Sequence, residues 1–178
     1  NNLGNALKDL GNYPRAIDAY QKAIALNPEN FSAKHTIAAL RGEKTKVAPK
    51  EYVRSLFDQF SSFFEERLVK KLKYKTPSLL RAKMSRFLDG GRTFGKAVDL
   101  GCGTGLAGVE FQDLSDTMDG VDISERMVRL AKEKNVYDHL EVAEIVEFLN
   151  NAEARYDLFI ATDVLVYLGD LAPLFKAM

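Results

Sequence analysis

The sequence predicts an α/β fold, a doubly wound parallel sheet preceded by an all-helical segment. Three observations carry that expectation. From Lys96 onward, short apolar runs alternate with helical patterns, the alternation that builds parallel βαβ units. The run Ala97-Val98-Asp99-Leu100 leads into Gly101, Gly103 and Gly105 at alternate positions, where backbone can turn sharply and approach a ligand closely. Before Lys96, residues 51–88 recur at three- and four-residue spacing instead, the period of one apolar helical face.

Composition sets the outer limits. The 178 residues are 46% hydrophobic and 28% charged, values of an ordinary globular protein. No apolar run approaches the ~20 residues that span a bilayer, and no signal-peptide pattern opens the chain. A single cysteine, Cys102, rules out an internal disulfide and is compatible with a reducing cytoplasm, the expected location. With two scattered histidines it makes no metal site. Net charge is zero, yet residues 41–96 carry fifteen basic and six acidic side chains, and residues 97–178 carry six and sixteen. Such asymmetry can mark a nucleic-acid surface; the favoured expectation is a basic helical segment beside an acidic domain. No membrane partner is expected.

Residues 1–41 form the first expected segment. Leu3-Gly4, Leu7, Ala16, Tyr20, Ala23 and Pro28 resemble the register of a tetratricopeptide repeat, with Gly11-Asn12-Tyr13-Pro14 as the turn between its two helices. Phe31–Leu40 resembles the first helix of a following repeat. One and a half repeats do not bury their own faces. Further repeats are therefore expected before Asn1, and the absence of an initial methionine fits a fragment. The resemblance implies a protein partner for this segment. Residues 42–50 read as a polar linker.

Residues 51–94 are expected to be helical. Val53, Leu56, Phe57, Phe60, Phe63, Phe64 and Leu68 make one apolar stripe, Pro77 opens another helix, and Asp89-Gly90-Gly91 stops it near Leu88. Phe57-Asp58-Gln59-Phe60, Phe63-Phe64-Glu65 and Leu72-Lys73-Tyr74-Lys75-Thr76-Pro77 resemble the segment before the glycine loop in tetratricopeptide-linked methyltransferases. That resemblance implies a lid over the cofactor mouth; a stripe that merely packs is the alternative.

Residues 95–178 carry the sheet. The expected strands are Ala97–Leu100, one ending at Gly120-Val121-Asp122, Leu140–Ala143 and Tyr156–Ala161. Helices are expected from Leu106, over Glu125–Lys134 behind a Ser124 cap, and at the end to Met178. Asp99-Leu100-Gly101-Cys102-Gly103-Thr104-Gly105 resembles motif I of the class I S-adenosylmethionine-dependent methyltransferases, a Rossmann-like family. The resemblance implies a cofactor site at Asp99, Gly101, Cys102, Gly103 and Gly105. Asp122 stands 17 positions past Gly105, where a carboxylate can accept from a ribose diol, and Ile123 can pack on adenine. Glu144 and Ile145 stand where the family reads the adenine amino group, with glutamate in place of the commoner aspartate. Thr162, Asp163 and Tyr167 follow the fourth strand, at the carboxyl-end crevice. Asp163 and Tyr167 are the candidate acid/base or acceptor-orienting groups, with helix capping as the alternative.

Other functions stay open at this point. Gly103-Thr104-Gly105-Leu106-Ala107-Gly108 also spells G-x-G-x-x-G, so a nicotinamide-dependent oxidoreductase is one alternative. Against it, Asp99 puts a carboxylate where a pyrophosphate would be repelled. A non-enzymatic repeat scaffold with a ligand-binding module is another. Methyl transfer needs alignment and water exclusion more than a nucleophile, which fits the absence of Ser-His-Asp or Cys-His patterns. The resemblance covers only the cofactor-binding half of such a domain, lacking about three strands. The acceptor is therefore unassigned, and little turnover is expected from these residues alone.

Overall fold

The computed structural model describes residues 1–43, 48–84, 86, 88, 93–153 and 155–178. The expected helix stop at Asp89-Gly90-Gly91 and the core of the 42–50 linker lie outside the described residues. The chain divides into two compact units, Asn1–Leu56 and Phe57–Met178.

The first unit opens on three helices, α1 (Asn2–Asp9), α2 (Tyr13–Leu26) and α3 (Phe31–Leu40). Gly11 takes φ +74° in the turn after α1, and Pro14 sits in the first turn of α2, where its missing N–H has no helical partner to lose. Asn30 caps α3 by accepting from the Ala33 N–H at 3.1 Å. Ala16, Tyr20, Ala33 and Ile37 form the buried centre. Gly4 explains the Leu-Gly signature: a Cβ there would lie 2.6 Å from the Tyr20 ring. With that ring seated, the Tyr20 hydroxyl donates to Asn5 Oδ1 at 2.6 Å. A fourth helix, α4 (Lys50–Phe60), contains the division between the units.

The second unit continues with a 3-10 turn (Ser61–Phe63), a π-helical turn (Glu66–Lys71) and α5 (Thr76–Met84). The expected helical stretch is therefore broken, and α5 is shorter than its periodicity suggested. Then follow β1 (Phe94–Leu100), α6 (Leu106–Phe111), β2 (Ser115–Asp122), α7 (Glu125–Lys132), β3 (His139–Val142), α8 (Ile145–Asn151), β4 (Leu158–Ile160) and α9 (Ala172–Ala177).

All strand pairs are parallel, in the order β3-β2-β1-β4. β1 starts earlier than the apolar run because its ladder with β2 begins at Phe94↔Ser115 and runs to Leu100↔Val121. β4 is shorter than expected. Its flanks are drawn into side-chain contacts: Tyr156 donates to Asp119 Oδ2 at 2.8 Å, and Asp157 Oδ2 accepts from the Lys96 N–H at 3.0 Å.

Central burial explains why the end of β1 does not alternate polar with apolar residues: Ala97, Val98, Asp99 and Leu100 are all at most 1% exposed. Val98, Leu100 and Val121 pack with Ile145, Phe148, Leu149 and Leu174 on one face. Ala97, Met118 and Ile160 pack with Ala107, Phe111 and Leu114 on the other. Helices thus cover both faces, and the glycine loop emerges at the carboxyl end of β1 beside its neighbours.

Candidate cofactor site at the carboxyl ends of the strands

The loop after β1 is built on backbone that side chains rarely tolerate. Gly101, Gly103 and Gly105 have φ of +70°, +53° and +88°, all in the left-handed region open mainly to glycine. The N–H groups of Gly101 and Cys102 both donate to the Val121 carbonyl, at 2.8 and 2.9 Å. The Gly103 N–H donates to Asp122 Oδ2 at 2.9 Å. Asp122 Oδ1 accepts from the Ser124 N–H at 2.8 Å. One carboxylate at the end of β2 thereby joins the glycine loop to the start of α7. Burial raises the Asp122 pKa, the backbone donors at Ser124, Gly103 and Ile123 oppose the rise, and the Asp58 charge adds to it.

Two glycines face neighbours and one faces space. A Cβ on Gly101 would collide with Val164, beyond β4, and one on Gly105 would lie 3.1 Å from Lys134 Cγ. A Cβ on Gly103 meets nothing within 4 Å. That open direction, beside Asp122, is the cradle a ligand can enter.

Asp99 lies deeper than the sequence reading put it. It is fully buried, and its Oδ2 accepts from the Tyr137 hydroxyl at 2.7 Å. Its Oδ1 and the Thr104 hydroxyl are buried with no hydrogen-bond partner among the described residues. Burial foremost, and then the Asp122 charge, push the Asp99 pKa up to about 7, against the pull of the Tyr137 hydroxyl. Cys102 is buried, and burial with the charges of Asp99 and Asp122 holds its thiol well above the usual range. A thiol so held is no nucleophile.

The other candidates are distributed around the loop. Ile123 is half-buried directly after Asp122. Glu144 caps α8, with Oε1 accepting from the Val146 N–H at 3.1 Å and Oε2 from the Glu147 N–H at 3.2 Å. Ile145 is buried in the core beneath α8. Thr162 and Asp163 follow β4, and Asp163 takes φ +56°, rare for a residue with a side chain. Burial raises the Tyr74 pKa, and the neighbouring Asp163 carboxylate adds to the rise while Thr162 opposes it. Tyr167 packs its ring edge-on against Phe57, with centroids 5.3 Å apart.

Sequence reasoning missed three residues. Asp58 Oδ1 accepts from the Ser124 hydroxyl at 2.6 Å, and the Asp58 carbonyl accepts from Arg126 at 3.1 Å. Tyr74 reaches the residues after β4. Tyr137 supports the loop from below. Asp58 and Tyr74 lay inside quoted motifs but had no assigned partner; Tyr137 had no signal at all. With Lys134 and Glu65 paired at 2.9 Å, the 57–74 segment touches residues following β2 and β4, on either side of the loop. A groove of about 350 Å³ beside it, lined by Ser61, Ser62, Glu65, Glu66, Leu130, Glu133 and Lys134, contains none of the loop residues.

Residues 98–178 match the family model of the methyltransferase domain, and residues 1–30 that of the tetratricopeptide repeat. No curated protein matches the chain. Among solved structures, a DhpI–SAM–HEP complex shares 17% identity at a TM-score of 0.53, covering 69% of this chain and 54% of that one. Magnesium protoporphyrin IX methyltransferase from Synechocystis PCC 6803, with bound SAM, shares 21% at 0.51, covering 72% and 66%. An S-adenosylmethionine-dependent methyltransferase from Clostridium acetobutylicum ATCC 824 shares 22% at 0.50, covering 68% and 51%. These likenesses show the methyltransferase fold. The chain spans between about half and two thirds of those structures' lengths.

The glycine spacing that left a dinucleotide binder open has a local cause in this domain. A Cβ on Gly108 would collide with the ring and hydroxyl of Tyr137. The third glycine of the G-x-G-x-x-G pattern makes room for that tyrosine. Among the described residues, no group of His, Cys, Asp and Glu could hold a metal ion, and no helix is long and apolar enough to cross a membrane.

Proposed function

We propose that this chain carries the cofactor-binding part of an S-adenosylmethionine-dependent methyltransferase whose tetratricopeptide repeat binds a protein partner. The observation that carries the reading is the glycine loop itself: three left-handed glycines, an open direction at Gly103, and a loop N–H held by Asp122.

The residues fit such a cofactor. Backbone at Gly101, Cys102, Gly103 and Gly105 lets the amino-acid end approach closely. The Asp122 carboxylate has roughly four acceptor positions, and those not taken by backbone donors at Gly103, Ser124 and Ile123 are left for ribose hydroxyls. Ile123 offers an apolar face to adenine, with Glu144, Ile145 and Thr162 bounding the same end. Asp99 puts negative charge beneath a loop that receives a cationic ligand. When bound, the cofactor supplies a methyl carbon already activated by its sulfonium. The protein's part is then to align the acceptor and exclude water. Asp163 and Tyr167 are the groups to orient that acceptor or take its proton, and the 57–74 segment is the lid. The same reading makes the protein cytoplasmic and leaves the acceptor's identity to experiment.

Titration calorimetry with S-adenosylhomocysteine and with NAD tests the proposal. Saturable binding of the first and none of the second is the expected result. Binding of NAD alone would replace this reading with an oxidoreductase.

A further inference from the structure

Tyr137 belongs to none of the sequence motifs, yet the fold delivers it with care. After α7, Asn135 takes φ +54° and turns the chain back toward the sheet. Asp138 then pins it to β2: its N–H donates to the Met118 carbonyl at 2.8 Å, and its Oδ2 accepts from the Met118 N–H at 2.7 Å. The neighbouring Tyr137 side chain enters beneath the glycine loop. Its ring lies where a Cβ on Gly108 would be, and within 3.0 Å of one on Gly120 and 3.3 Å of one on Gly105. Glycines from the loop, α6 and β2 thus converge on one aromatic ring. Its hydroxyl ends on Asp99 Oδ2 at 2.7 Å.

We propose that Tyr137 is a positioning residue for the cofactor loop, acting through its hydrogen bond to Asp99. The inference rests on the cofactor reading above. The hydroxyl is the side-chain donor to the buried Asp99 carboxylate among the described residues, and so favours the ionised form that attracts a cationic α-ammonium group, which S-adenosylmethionine and S-adenosylhomocysteine share. The titratable groups facing Asp99 are Tyr137 from the α7–β3 connection, Cys102 from the loop and Asp122 from the end of β2. The Cys102 thiol and the Tyr137 phenol are both pushed up and stay neutral. Asp99, pushed up to about 7, titrates near neutrality, and burial pushes the neighbouring Asp122 carboxyl upward as well. Replacing the hydroxyl with hydrogen removes a donor that favours the carboxylate, so Asp99 would hold its proton to higher pH.

The test is calorimetry of S-adenosylhomocysteine between pH 5.5 and 8.5 on four proteins: wild type, Tyr137→Phe, Asp99→Asn and the double variant. Phenylalanine keeps the ring that fills the glycine space. The expected results are wild-type affinity rising through neutral pH and a Tyr137→Phe affinity about tenfold weaker at pH 7. Its pH midpoint should also move upward. In the Asp99→Asn background, where no carboxylate is left to ionise and only a neutral hydrogen bond is lost, the same substitution should cost much less and leave the pH profile unmoved. A Tyr137→Phe profile superimposable on wild type would overturn the proposal, as would an undiminished loss in the Asp99→Asn background. The Asp99 carboxyl carbon resonance, titrated without ligand, gives a second reading. An unchanged midpoint in Tyr137→Phe would overturn the inference even if the cofactor assignment stands. A wild type that binds no S-adenosylhomocysteine at any pH would instead overturn the cofactor reading.

Discussion

Asp99→Asn should remove a pH dependence of stability that the wild-type domain carries. Asp99 is fully buried, and its folded-state pKa is about 7 against an ordinary value of 3.8. Between those two values the folded state binds a proton that the unfolded state has released. Stability contributed by that proton is complete below about pH 4 and is lost as pH rises through 7. At 1.36 kcal/mol per pKa unit, the whole window corresponds to about 4 kcal/mol, an upper figure for a carboxyl so close to Asp122. Asparagine preserves the shape, and its carbonyl oxygen can still accept from the Tyr137 hydroxyl. Urea unfolding of both proteins at intervals between pH 4.5 and 8.5 measures the effect. The wild type should lose stability relative to the variant as pH rises, by about 2–4 kcal/mol across the range. Parallel curves would refute the reasoning, because they would mean that Asp99 is ionised in the folded protein throughout.

Gly103→Val should abolish S-adenosylhomocysteine binding, since its methyl groups would fill the open direction above the loop and its backbone would be strained at φ +53°; circular dichroism should show a folded protein, and calorimetry no heat. Asp122→Ala should weaken the same binding by about 1–3 kcal/mol, because the ribose acceptor and the tie to the Gly103 N–H are lost together; an unchanged affinity would remove Asp122 from the site. Lys96→Met should destabilise the second unit by about 2–4 kcal/mol, because Asp119 is 4% exposed and would lose its 2.9 Å ion pair while keeping only the Tyr156 hydroxyl. A urea midpoint within error of wild type would show that water reaches Asp119.

Much of this architecture was legible because it is local. The alternation of apolar runs and helical spacing sufficed for four parallel strands, since a central strand buried on both faces loses the polar–apolar alternation of a half-exposed one. Gly101, Gly103 and Gly105 were readable because tolerance of positive φ is a property of the residue itself, and their spacing just after a strand marks a turn that uses it. Ser124 was readable as a cap because its partner, the Met127 N–H at 3.2 Å, lies three residues away. Strand ends were less legible. Phe94, Gly95 and Lys96 join β1 through a ladder to Ser115–Thr117 that exists only after folding.

What the tertiary structure alone decided are the long-range carboxylate partners. Asp99 turned inward to a tyrosine 38 positions away, and Asp58 reached a serine 66 positions away. Neither pairing leaves a periodic trace, because side chains brought together by a crossover have no fixed sequence spacing. Gly108 is the instructive case. As a letter in the sequence it completed a dinucleotide-binding pattern; in the fold it is the space left for the ring of Tyr137. The torsions open to a glycine follow from its identity, whereas the neighbour that forbids it a side chain is set by packing.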